Sequence, residues 1–198
     1  MPDGLSIDLG TTALLVMDFQ VAIVEGYAAD REALLERTTA LVEAVRRAGI
    51  MVGYVVVGFR PGYPEISARN AQFGMLRGTG LFTAVAAGTE IHPAVAPRPG
   101  EIVVTKHRVS AFAGTDLDMI LRAKGIETLV LSGIATSGVV LSTLRHASDA
   151  DYRLLVVQDC CSDRDEEVHR VLVEKIFPRQ AALVCAADVV QALGAGRP

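Results

Sequence analysis

The chain has 198 residues, 51% of them hydrophobic and 21% charged, with a formal net charge of −4. That much apolar material supplies a core for one domain over 1–198 and excludes a disordered chain. The acidic balance, with Lys and Arg scattered rather than clustered, argues against nucleic acid or an anionic membrane surface as a partner.

The opening "MPDGLSIDLG" lacks the basic and then apolar stretch of a secretion signal. No apolar run reaches the roughly 18 residues of a membrane span. A cytoplasmic protein is therefore expected. The three cysteines, Cys160, Cys161 and Cys185, lack framework spacing and fit free thiols in a reducing compartment.

The first element, "TALLVMDF" (12–19), is a short continuous apolar run, as in a strand buried on both faces. Residues 31–48 carry Leu34, Leu35, Leu41, Val42 and Val45 on one helical stripe, closed by Gly49. "IMVGYVVVG" (50–58) predicts a second buried strand. The Pro- and Gly-rich segment 59–100 that follows reads as a lid. "EIVVTK" (101–106) predicts a third strand. Residues 115–125 predict a helix with Thr115 as its N-cap. Strands follow over 128–133, 152–159 and 181–185, with helices over 138–150 and 165–177 between them. Alternating strand and helix with Val-rich strands implies an α/β fold: a parallel sheet covered by helices on both faces.

In such a sheet ligands bind at the carboxyl ends of the strands. Asp18 and Gln20 follow the first strand, Lys106 ends the third, Ala135 to Val139 follow the fourth, and Cys160 and Cys161 follow the fifth. A poorly hydrated carboxylate has a raised pKa unless a cation stands near it, and a buried Lys needs a partner. Asp18 and Lys106 therefore form either an acid or base tuned by a lysine, or a structural ion pair. Thr136 and Ser137 open a helix, whose free amides suit a developing negative charge or serve as an ordinary cap. Ser137 as a nucleophile would need a base, and the sequence places no His beside it. Cys161 offers a displaced thiol at a strand end or a buried inert one. His92, His107, His146 and His169 show no metal-ligand spacing. In the 59–100 segment, Arg60, Arg69, Gln72, Phe73 and Arg77 are expected to line the pocket, the arginines suiting a carboxylate substrate or simply solvent. Phe73, Leu76, Leu81 and Phe82 are expected to be exposed and to favour an oligomer.

Three stretches in order, "LLVMDFQ" (14–20), "VVTKHRVSAFAGTDLDMILRAKGIETLVLSGIATSGVVLSTLRHA" (103–147) and "YRLLVVQDCCSD" (152–163), resemble the isochorismatase-like hydrolase superfamily, also called the cysteine hydrolases. The resemblance implies a three-layer α/β/α, Rossmann-like fold with a six-stranded parallel sheet, and assembly as a homodimer or homotetramer. It implies an Asp–Lys–Cys triad whose Asp falls on Asp18 and whose Lys falls on Lys106. The family's Gly-Val-x-Thr-x-x-Cys-Val pattern, laid on "GIATSGVV" from Gly133, puts the Cys position on Val139. A non-proline cis peptide is implied near Ile134–Ala135. Some relatives bind a metal through Asp and His after the second strand. Residues 59–75 contain neither, so no metal and no cofactor are expected.

Valine has no nucleophile, and losing one in a comparable catalytic unit costs about a millionfold in rate, about 8 kcal/mol. True isochorismatases also lack the Cys, with Gly there, and cleave a vinyl ether by protonation and water attack. Val139 is bulkier than Gly, so isochorismate itself is not inferred. The expected function is hydrolysis of a small molecule without a covalent thiol intermediate. Asp18 is the general acid or base, Lys106 tunes it, and Gln20, Ala135, Thr136 and Val139 contact the substrate or its oxyanion. The alternative is a non-catalytic member that binds a small ligand or a protein partner.

Overall fold

A computed structural model describes residues 5–195. Six strands form one all-parallel sheet: β1 (Thr12–Met17), β2 (Met51–Val57), β3 (Ile102–Lys106), β4 (Thr128–Ile134), β5 (Arg153–Ser162) and β6 (Ala182–Val184), in the order β3-β2-β1-β4-β5-β6. The chain runs outward from β1 to β3, then returns to lay β4 on the other side of β1. That reversal is the topological switch point of a Rossmann-like sheet.

Alternation along β1 divides the core between two layers. Leu14 and Val16 face α1 (Val21–Tyr27), α2 (Arg31–Arg47) and α7 (Ala186–Ala195), packing with Ile23, Leu41, Val45 and Val189. Ala13, Leu15 and Met17 face α4 (Leu117–Ala123) and α5 (Leu141–Asp149), packing with Leu117, Leu121 and Leu144. The result is the three-layer α/β/α fold expected from the sequence. The remaining helices are α3 (Ala71–Gly74) and α6 (Glu166–Val171), with irregular helical turns at Thr136–Val140 and Leu172–Ile176.

Several local expectations need correction. The fourth helix begins at Leu117, two residues later than expected, and Thr115 stands just outside it, its hydroxyl accepting from the Leu117 amide at 3.4 Å. The Thr115 hydroxyl donates to the Ala111 carbonyl at 2.6 Å, and Asp116 occupies the cap position without a side-chain bond. The helix over 138–150 is two pieces, because Gly138 departs from helical geometry (φ −96°, ψ −106°). β5 runs three residues past its expected end at 159. A bulge lets Leu131 pair with Val156 while Gly133 pairs with Cys161, so polar Gln158 and Asp159, which read as a strand terminus, are absorbed inside the strand. The sequence pattern predicts neither α1 nor α7.

Segment 59–100 is less a free lid than a packed flap. Phe59, Tyr63 and Phe73 meet as an aromatic cluster with centroids 5.5–5.7 Å apart. Phe73, expected to be exposed, is buried there, while Met75 and Val85 are 77% and 90% exposed.

Candidate active site

The carboxyl edge of β1 carries an unusual turn. Asp18 has φ +57°, a left-handed conformation that costs a non-glycine residue about 1 kcal/mol or more. Its amide still bonds the Val55 carbonyl at 2.8 Å, so the main chain leaves the sheet within a single residue. The carboxylate lies 2.8 Å from Lys106 Nζ at the end of β3, with the two side chains only 7% and 3% exposed. These ends lie on one rim because β2, between the two strands, aligns Val55 with Met17 and Val57 with Lys106.

The pair is incompletely satisfied. Asp18 Oδ2 meets Lys106, but Oδ1 is buried with no hydrogen-bond partner. Burial pushes the Asp18 carboxyl above its ordinary range even though the Lys106 charge opposes the shift. A buried ion pair offsets its desolvation only when the remaining lone pairs are bonded. Stability therefore does not explain an acceptor left open at the wall of a cavity.

That cavity, about 360 Å³, is of the order of the roughly 300–1,000 Å³ typical of small-molecule sites. It opens at the switch point, between the ends of β1 and β4. Asp18, Lys106, Ala135 and Val139 all reach it, together with Ser137 and Gly138. Close approach of the two strands is possible because residue 133 is glycine: a Cβ there would stand 3.0 Å from the Met17 carbonyl oxygen and 3.1 Å from Val140. The Ile134–Ala135 peptide is cis, where the resemblance puts one. A wider groove, lined by Arg122, Glu127, Tyr152 and Arg153, lies at the amino ends of β4 and β5, the edge opposite the one where such sheets bind ligands.

Other residues fall elsewhere. Gln20 does not line the cavity. Its carboxamide donates to the carbonyls of Val57 (3.0 Å) and Thr89 (2.7 Å) and accepts from Val57 N–H (2.8 Å), which uses both donors and the acceptor on main chain. Thr136 is fully buried on the far side of the turn, its hydroxyl 2.8 Å from His169 Nδ1. Ser137 N–H donates to Asp163 Oδ2 at 2.7 Å, and the Gly138 and Val140 amides donate to Ala135. His169 and Asp163 thus pin the turn from behind, a role the sequence leaves unassigned because both lie on a distant segment. Burial lowers the His169 pKa against the pull of Asp163, which suits a neutral imidazole paired with a hydroxyl.

Cys161 is buried on the other side of β4 from the cavity, at the wall of a small cleft with Asp163 and His169. Burial pushes its thiol far above the usual range, and that of Cys160 up to about 12, so neither has thiolate character at neutral pH. Among the described residues, no cysteine lines the Asp18–Lys106 cavity. Arg60 is 72% exposed and paired with Glu65 at 2.6 Å. Arg69 and Arg77 are exposed, and none of the three lines the cavity. Gln72 and Phe73 do. Among the described residues, no three His, Cys, Asp or Glu side chains gather as a metal site.

A Rossmann-like sheet with a buried Asp–Lys pair at its switch point, bordering a cavity of small-molecule size beside the turn after β4, defines the class of this α/β protein. Residues 12–188 match the Isochorismatase domain model, and the chain belongs to that family of hydrolases. It is 36% identical over 179 residues to a ureidoacrylate amidohydrolase, RutB, of Methylorubrum extorquens, covering 80% of this chain and 72% of that protein. It is 30% identical over 190 residues to maleamate amidohydrolase of Pseudomonas putida, covering 91% and 86%. The solved isochorismatase family protein of Burkholderia thailandensis superposes with a TM-score of 0.79 at 29% identity, covering 96% of this chain and 98% of that one.

Proposed function

We propose that the protein hydrolyses a small carbonyl substrate by direct attack of water, with Asp18 as general base and then general acid. The observation that carries this reading is the buried Asp18–Lys106 pair, 2.8 Å apart, with Asp18 Oδ1 unpartnered at a cavity. The resemblance lays the family's Cys position on Val139, so no covalent intermediate is invoked. Water adds to the carbonyl carbon as Asp18 takes its proton. The resulting oxyanion lies against the Ala135 and Val139 amides, since those of Ser137 and Gly138 are already engaged. The same proton then passes to the leaving nitrogen or oxygen as its bond to carbon breaks, and Asp18 returns to its starting state. Lys106 holds the carboxylate in place and balances its charge. Similarity to two amidohydrolases supports a carbonyl substrate.

A panel of amides, ureas, vinyl ethers and esters, run with the wild type and Asp18→Asn, tests this. Turnover that disappears in the variant supports it. Absence of turnover, or turnover unchanged by the substitution, removes it. Valine at the position where the resemblance lays the Cys favours a second reading, a non-catalytic member that binds a small ligand or a protein partner. Any Asp18-dependent hydrolysis rejects that alternative.

We also propose that the chain works as a homodimer or homotetramer in the cytoplasm. Exposed Leu81 and Val85 on the flap support assembly, and light scattering on the purified chain measures it. Among the described residues, no helix is long and apolar enough to cross a membrane.

A further inference from the structure

We propose that the Asp18–Lys106 cavity takes an uncharged substrate with an apolar body and rejects small carboxylates. This rests on reading the cavity as the substrate site and goes on to its selectivity. The warrant is the distribution of charge around the cavity. Its walls come mainly from Ile23, Val57, Leu76, Phe82, Val109 and Ile134, and its neutral polar groups are Tyr27, Gln72 and Ser137. Among the described residues, Asp18 and Lys106 are its only ionisable side chains apart from Tyr27, and at 2.8 Å they cancel. A carboxylate entering would lose its water, gain no net cation and stand beside the negative Asp18.

The basic side chains that could have changed this are engaged elsewhere. Arg60 pairs with Glu65. The Arg108 guanidinium donates to the carbonyls of His107 and Glu65, at 2.5 and 3.0 Å. The His107 Nδ1 lies 2.6 Å from the Gly58 carbonyl. Arg164 lies over the Tyr27 ring, 4.9 Å from its centroid, with its nitrogens on the Gly26 carbonyl. None of these four lines the cavity. Beside the neutral groups of Tyr27, Gln72 and Ser137, the Asp18 carboxylate borders the cavity with one oxygen, Oδ1, buried and without a hydrogen-bond partner. It fits a ligand that presents a single N–H or O–H, or a water held against a carbonyl, at the end of an apolar body.

Probes of matched size and shape that differ in charge test the proposal: terephthalamide against 4-carbamoylbenzoate, and succinamide against succinamate. Binding of each is measured by titration calorimetry on the full chain. The expected result is that the neutral member of each pair binds at least about tenfold more tightly. Met75→Arg, at an exposed rim position that leaves the core intact, is expected to narrow or reverse that preference by supplying a cation. Equal or tighter binding of the carboxylates to the wild type overturns the proposal, and so does failure of every probe to bind at millimolar concentration. Binding is read apart from turnover. Neutral probes that bind but are not hydrolysed leave the selectivity standing and count against the hydrolase reading. Carboxylates that bind and turn over do the opposite.

Discussion

Two ionic clusters in this molecule are built on opposite terms. Around Arg46 on α2, the guanidinium forks onto both oxygens of Glu101 at 2.8 and 2.7 Å, reaches Glu43 at 2.8 Å, and donates to the Tyr54 hydroxyl and the Ala96 carbonyl, each at 3.0 Å. Every nitrogen of that guanidinium is engaged, and Glu43 is also held by Arg98. The Asp18–Lys106 pair is more deeply buried, yet one carboxylate oxygen is left open and the acid sits on a left-handed backbone. A saturated network fastens α2 to the segment entering β3. An unsaturated one held in a strained conformation keeps its capacity for something that arrives later.

On that contrast, Asp18→Asn should lower turnover of any substrate found by about 10²–10⁴-fold, the usual share of a positioned acid–base group. Arg46→Ala should leave turnover unchanged. Steady-state kinetics on both variants is the measurement, and a larger loss in Arg46→Ala would collapse the distinction. Val139→Cys should next create a reactive thiol between an acid and a lysine already in place. Iodoacetamide labelling near neutral pH should run at least about tenfold faster than in the wild type, and peptide mapping should find the label at residue 139. Labelling confined to Cys185 would show that the Cys position lies elsewhere.

Stability gives a smaller but sharper comparison. Asp18→Asn strands a buried ammonium and should cost about 3–5 kcal/mol by urea denaturation, whereas Asp18→Asn with Lys106→Met should recover most of it. Arg46→Ala should cost about 2–3 kcal/mol, since it strips charged hydrogen bonds from a half-buried cluster, and no single partner substitution is expected to rescue it. The smallest effect is on pH dependence. The Arg46 hydrogen bond holds Glu43 below its ordinary 4.5, so that contribution is present above 4.5 and lost as pH falls through the folded value. Burial raises Asp18 above 3.8, so the folded chain keeps that proton longer and stability falls as pH rises from 3.8 to the folded value. Acidification from about pH 5 to about pH 3 should therefore destabilise Asp18→Asn more steeply than wild type, and Arg46→Ala less steeply.

Much of the fold is legible in the sequence because buried parallel strands announce themselves as apolar runs. Thr12–Met17 and Thr128–Ile134 are buried along their whole length. Asp18 and Lys106 stand out because each ends such a run. Helix α1 stays hidden because its seven residues carry no polar face or capping side chain. The end of β5 escapes the pattern because a bulge tolerates Gln158 and Asp159, where Asp159 Oδ1 accepts the Ala186 amide at 2.8 Å at the start of α7. Arg60 and Gln20 mark a different limit. Position along the chain puts both near the rim, but the direction of a side chain depends on partners elsewhere in the fold. The same holds for His169, whose meeting with Thr136 spans 33 residues.

The side chain of Gln20 has one further consequence. A carboxamide carries the same donor and acceptor as a peptide group, and this one exchanges both with Val57, at 2.8 and 3.0 Å, as a neighbouring strand would. It forms a rung of the ladder made from a side chain. The last residue of β2 keeps its hydrogen bonds although the β1 backbone has already turned away at Asp18. The sheet thus ends later in its bonding than in its main chain, and that small offset lets an aspartate swing into the cavity without leaving the Val57 backbone groups orphaned.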